Sequence, residues 1–212
     1  MNKSTVILVR HGESVGNING LICGSIDVEL TNKGKEQSIL TGYELSKYPI
    51  DVIYTSPLTR AYTMAKSIAI KQLESTLIIK EKRLTEMDFG LAEGYTLEEY
   101  AKKTKHGDVA IQALEKFGYL RYIEGQETFL QVQGRYVRTI RRILSKNKPG
   151  STICITGHGM AIASYMAYLK GISKENFKEV KFSKNAAITV LEYDYDLDKF
   201  TVVQDASVEH LK

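Results

Sequence analysis

The alternation of β-rich and helical segments restricts this chain more than any other feature. Four runs, "TVILVRH" from Thr5, "DVIYTS" from Asp51, "TLIIKEKRL" from Thr76 and "STICITGH" from Ser151, each precede a helical pattern. Strands joined through helices pair in parallel, and a strand that is apolar along its length needs cover on both faces. The expected fold class is therefore α/β: a three-layer sandwich with a mostly parallel central sheet and helices on both faces. After the second run, Ser56 reads as a helix N-cap with Pro57 at the first helical position, and Ala61, Met64, Ala65 and Ile68 form the buried stripe. Phe129, Val132, Tyr136, Ile140 and Ile143 form a similar stripe through Gln126 to Lys146, ahead of a turn at Pro149-Gly150. The stretch "AAITVLEYDYDLDKFTVVQD" reads as a hairpin turning near Asp196 to Lys199, which adds antiparallel strands. No repeat, low-complexity tract or linker interrupts the chain, so residues 1–212 read as a single domain with a poorly patterned helical insert at about 95–125.

Composition narrows the function. A chain of 212 residues with 43% hydrophobic content can bury a sizeable core. The net charge of +4 is too small to argue for nucleic acid, though it suits a small anionic ligand. Cys23 and Cys154 form neither a metal-ligand spacing nor a disulfide framework, which fits a reducing compartment. The aliphatic stretch Val6 to Val9 is too short for a signal-peptide core, and no later run approaches a membrane span. The expectation is a cytoplasmic protein with no membrane partner.

In open α/β sheets, ligands sit beyond the carboxyl ends of the strands. Three such ends carry chemistry here. The first delivers Arg10 and His11 within "ILVRHGESVGN", the second is followed by Arg60, and the fourth delivers His158 between Gly157 and Gly159. Helix amino termini expose unpaired N–H groups, and guanidinium forks match phosphate oxygens, so the converging chemistry is phosphate binding. Neutral imidazole is a nucleophile near pH 7, and neighbouring cations would keep His11 unprotonated. Gly12 is expected to clear the approach of backbone and phosphate. Each residue also has a plain reading: a satisfied strand-end histidine, or a solvated arginine on a helix. Glu86, Asp88 and Glu93 all compete for the role of proton donor, and Glu13 is expected at the rim.

The blocks "LVRHGES", "LTNKGKEQ", "YTSPLTRAYTMA", "LTEMDFGLAEG" and "ITGHGMAI" resemble, in this order, the histidine phosphatase superfamily in its phosphoglycerate mutase-like branch. The likeness runs from about Ile7 to Ile162. It implies that His11 is phosphorylated, that Arg10 grips the phosphate, and that Arg60 and a charged His158 stabilise the transferring group. It also implies that Glu86 gives and takes the proton, that Asn17 is a further phosphate contact, and that Ser14 and Gly24 line the pocket. No metal or other cofactor is expected. The familiar mutases carry Glu-Arg-x-Tyr-Gly after the acid and a longer insert before the second histidine. Here Met87 and Phe89 depart from that pattern, and the resemblance favours hydrolysis of small phosphomonoesters over mutase-type transfer. The family's later Gly-Glu-Ser element is altered to "GQET", with Glu127 and Thr128 as equivalents.

The expected partner is a small phosphorylated metabolite. Arg135, Arg138, Arg141, Arg142 and Lys146 put positive charge along one helix, read either as dipole compensation on a solvated face or as a surface for a phosphorylated partner. Tyrosines within "YLRYIEGQETF" read as rim or core aromatics rather than a nucleic-acid platform. A non-catalytic phosphoryl-binding module is the alternative from another class, and retention of both histidines, both arginines and Glu86 speaks against it. A homo-oligomer fits the sequence, which singles out no surface for it. Cys154 reads as a buried strand filler and Cys23 as a candidate oxidation-sensitive thiol at the pocket.

Overall fold

Side chains alternate between two apolar environments along the central strands. In β1 (Lys3–Arg10), Val6 and Leu8 face one core and Ile7 and Val9 the other. The same division separates Val52 and Tyr54 from Ile53 in β2 (Val52–Thr55), and Ile153 and Ile155 from Cys154 in β4 (Thr152–Gly157). The computed structural model describes residues 2–104 and 123–212. Its six strands form one sheet in the order β3-β2-β4-β1-β5-β6, with β3 at Leu77–Lys80, β5 at Ile188–Asp194 and β6 at Lys199–Ser207. The first four strands in sequence are mutually parallel, and β5 and β6 add the antiparallel edge expected of the late hairpin.

Helices cover both faces. On one side, α2 (Asn32–Leu45) and α3 (Thr59–Ile70) bury Leu45, Met64, Ala65 and Ile68 against Ile7, Val9 and Ile53. On the other, α5 (Phe129–Lys146) and α6 (Gly159–Leu169) bury Val132, Tyr136, Ile140, Ile162 and Tyr165 against Val6, Leu8 and Ile155. Truncating a fully buried member such as Ile140 to alanine removes transfer energy and leaves a cavity, at about 2–5 kcal/mol. Two short helices complete the described set: α1 (Val15–Ile18) after the first strand and α4 (Leu97–Lys103) at the start of the expected insert. The rest of that insert, with His106, Tyr119 and Tyr122, lies outside the described residues.

Two boundaries differ from the sequence reading, and one helix is built without an apolar period. The N-cap of α3 is Leu58 and not Ser56; the Ser56 hydroxyl accepts from Leu58 N–H and contacts His158 instead. Helix α5 begins at Phe129, because the Thr128 hydroxyl and the Gln131 side chain form a capping box. Helix α2 carries no apolar stripe: its buried face is Gly34, Ser38, Thr41, Gly42 and Leu45. Small residues let α2 approach closely. The Ser38 and Thr41 hydroxyls satisfy themselves on carbonyls one turn back, at 2.8 Å each.

Candidate active site

Parallel pairing in register brings the chemistry together. Arg10 at the end of β1 pairs with Gly157 at the end of β4, and Thr55 of β2 pairs with Thr156. The residues just beyond these ends, His11, Ser56 and His158, therefore converge, with Arg60 in the first turn of α3. The His11 and His158 rings meet edge to face with centroids 5.3 Å apart.

The hydrogen bonds identify which nitrogen of each ring carries the proton. His11 Nδ1 lies 2.7 Å from the Gly12 carbonyl, which can only accept, so Nδ1 is protonated and Nε2 keeps its lone pair. Burial, followed by the charges of Arg10 and Arg60, lowers the His11 pKa to about 3. His11 is thus a neutral imidazole whose Nε2 carries a lone pair.

Arg60 is fully buried and held on several sides: Nη1 donates to Ile26 O and Nη2 to Gly24 O, each at 2.8 Å. Its Nε donates to His158 Nδ1 at 3.2 Å, while His158 Nε2 lies 2.8 Å from Ser56 Oγ. A ring that accepts at Nδ1 is neutral, and burial followed by Arg60 lowers the His158 pKa well below its usual value. This corrects the expectation of a charged His158. Both of its nitrogens are engaged, and it positions Arg60.

Arg10 donates through Nη1 to the Ser183 carbonyl, and its buried Nε has no hydrogen-bond partner among the described residues. An unsatisfied guanidinium N–H inside the protein costs about 1–3 kcal/mol or more and marks a place for an incoming acceptor. Burial lowers the pKa of both arginines, from a starting point high enough that both stay charged.

Glu86 separates from its competitors by location. Its carboxylate caps α6, accepting from Met160 N–H at 3.0 Å and Ala161 N–H at 2.9 Å, and also from Met87 N–H at 2.8 Å. Burial nevertheless dominates and raises its pKa, so a proton is held more tightly than on an ordinary carboxylate. Asp88 instead accepts from Gly90 N–H, and Glu93 braces the loop at Ser25 and Ile26. A cleft of about 660 Å³ opens beside Glu86, its lining including Leu58, Lys80, Lys82, Asp88 and Arg135.

The remaining expected residues serve the frame of the site. Ser14 and Asn17 form a capping box on α1, and Asn17 Oδ1 also accepts from Asn185 Nδ2 at 3.0 Å, which leaves Asn17 Nδ2 as its donor. Gly24 holds Arg60 through its carbonyl, and a Cβ there would lie 2.1 Å from Met87 O. Gly12 departs from expectation: a Cβ would sit 2.3 Å from Gly34 O, so the missing side chain admits α2. At Gly159 a Cβ would meet the Arg10 guanidinium at 3.0 Å from Cζ. Glu13 lies at the rim, paired with Lys33. Burial raises the pKa of Cys23, keeping it a thiol, and Cys154 is buried.

Sequence reasoning missed three contributors. Asn185 donates to the carbonyls of His11 and Gly12, both at 3.3 Å, and Ser56 orients His158. Arg135 pairs with Glu127 through two hydrogen bonds and donates to the carbonyls of Arg83, Thr85 and Glu86, so it braces the segment that carries the acid. Only the polar Asn185 just before "AAIT", and the acid and arginine eight positions apart, hinted at these roles. Among the described residues, no group of three or more His, Cys, Asp and Glu side chains gathers as a metal-ion site, and no helix is long and apolar enough to cross a membrane.

Known proteins resemble this chain in sequence and in fold. Phosphoserine phosphatase 1 of Hydrogenobacter thermophilus is 33% identical over 173 residues, covering 81% of this chain and 79% of that one. A 2,3-bisphosphoglycerate-dependent phosphoglycerate mutase of Cytophaga hutchinsonii is 30% identical over 184 residues, covering 85% and 84%. The structure of Bacillus stearothermophilus YhfR superimposes with a TM-score of 0.90 at 26% identity, covering 99% of this chain and all of the other. The family model of the histidine phosphatase superfamily (branch 1) matches residues 6–206, and the chain belongs to that superfamily.

Proposed function

We propose that this protein is a metal-independent phosphatase that hydrolyses small phosphomonoesters through a phosphohistidine at His11. The observation that carries this reading is the neutral His11, with Nδ1 tied to Gly12 O and its pKa lowered by its own burial and by the charges of the partly buried Arg10 and the buried Arg60. Nε2 attacks phosphorus in line, the P–O ester bond breaks, and protonated Glu86 donates to the leaving alkoxide. Water then attacks the phosphohistidine, Glu86 takes back a proton, and inorganic phosphate departs. Arg10, through its free Nε, and Arg60 balance charge on the equatorial oxygens, at about 2.7–4 kcal/mol per donor lost.

Asn17, Ser14 and Gly24 shape the approach to this group. The leaving alcohol lies in the cleft beside Glu86, where Lys80 and Lys82 stand with Asp88 and suit a polar alcohol carrying charges of both signs. An amino-acid alcohol such as serine, the alcohol of the phosphoserine named for one relative, has that character. The same reading takes the protein to be cytoplasmic, acting on a small metabolite and not on nucleic acid or membrane.

The test is phosphate release from a panel containing phosphoserine and 3-phosphoglycerate, with glycerate-phosphate isomer formation followed in parallel and His11→Ala as control. Release from phosphoserine that disappears in the variant supports hydrolysis. Isomer formation without net release would replace it with mutase-type transfer, and the absence of both activities would favour a binding module.

A further inference from the structure

Helix α5 places Arg135, Arg138 and Arg142 at spacings of three and four, on one face. Arg83, from the turn after β3, joins them around a groove of about 520 Å³ whose lining also includes Glu127 and Thr139. Like charges stacked this way repel, so the arrangement costs stability unless anions offset it. Few carboxylates do. Glu81 serves both Arg83 and Arg142, and Glu127 is taken by Arg135. Arg138 has no ion-pair partner among the described residues. The groove therefore keeps a surplus of positive charge, with guanidinium donors arranged around a volume typical of a small-molecule site. It adjoins the cleft beside Glu86, sharing Glu127 and Arg135 with it, and Arg135 holds the Glu86 carbonyl at 3.1 Å; His11 lines neither cavity.

We propose that this groove is a second anion site, separate from the His11 pocket, that takes a small phosphate-bearing molecule. Guanidinium forks meet phosphate oxygens in pairs, and Arg138 is the donor left free to lead that contact. The limited volume favours a small ligand over an extended macromolecular surface.

The test uses the full chain and inorganic phosphate as the probe, followed through the arginine Nε–H NMR signals. The Arg138 and Arg142 signals should shift saturably in the wild-type protein and in His11→Ala alike. In Arg138→Ala the Arg142 response should need at least about tenfold more phosphate, the share of one charged hydrogen bond. Shifts that rise without saturating, or a saturable Arg142 response unchanged by Arg138→Ala, would overturn the proposal. Arg138 is exposed and outside the His11 pocket, so Arg138→Ala should keep wild-type ester hydrolysis at low phosphate. If the wild type shows no hydrolysis, the reading of His11 fails and the groove stands or falls by its own titration.

Discussion

Gly159→Ala separates fold from chemistry at a single methyl group. The added Cβ would lie 3.0 Å from Arg10 Cζ, 3.1 Å from Nε and 3.3 Å from Nη1, all atoms of one rigid plane. Relieving those contacts moves the guanidinium by a few tenths of an ångström, and Arg10 is tethered at Ser183 O, so it tilts rather than slides. A misplacement of about 1 Å costs on the order of 100-fold in rate, and complete loss of one charge-stabilising donor costs about 100- to 1,000-fold. A shift of this size should therefore lower kcat/KM by roughly tenfold to 100-fold. Stability should move the other way, because glycine is the poorer helix former by up to about 1 kcal/mol and Gly159 opens α6. The assay is kcat/KM on the best ester beside thermal unfolding, repeated with Arg10→Ala. In the Arg10→Ala background the methyl group should do little further harm. Equal losses in both backgrounds would refute the argument, since the damage would then not pass through Arg10.

Two further predictions concern protons. The proposed mechanism needs Glu86, whose pKa is raised, in its protonated form to release the alcohol, so the rate of phosphohistidine formation should fall as pH rises through that pKa. Glu86→Gln should abolish this pH dependence in rapid-quench measurements and slow the step by about 100- to 10,000-fold; a pH profile that survives the substitution would assign the proton to another group. His11 is neutral in the fold down to about pH 3 but charges near 6.5 when unfolded, so the unfolded chain binds the extra proton in between. Stability should accordingly increase with pH from about 3 to 6.5, with His158 adding to the same slope, and His11→Asn should reduce that slope in urea titrations at several pH values. A slope unchanged by the substitution would show that the titrating groups lie elsewhere.

Much of the fold could be read from the sequence because its signals are local. The strand runs and the stripes of α3 and α5 depend on apolar residues at periods of two and 3.6, and the folded chain uses them as written. Helix α2 escaped because its buried face is made of glycine, serine and threonine, which carry no hydrophobic period. The Ser56 cap was misread for a related reason. Ser-Pro ahead of a helix fits an N-cap, but the hydroxyl had a more demanding partner in His158, 102 positions away and adjacent only once β2 and β4 pair.

The site divides along the same line. Residue types at strand ends were enough to nominate Arg10, His11, Arg60 and His158, because parallel strands must deliver their ends to one edge of the sheet. What each side chain does there depends on its partners, and partners are not local. Two histidines flanked by glycine look alike in the sequence. Gly12 O takes the Nδ1 proton of one and leaves it an open nitrogen, whereas Arg60 and Ser56 occupy both nitrogens of the other. Their glycines diverge as well: Gly12 makes room for a helix and Gly159 for a guanidinium. The division of labour between His11 and His158 therefore follows from a hydrogen bond inside the motif in one case and bonds to distant residues in the other. Replacing Ser56 should accordingly disturb His158 and Arg60 before it disturbs His11.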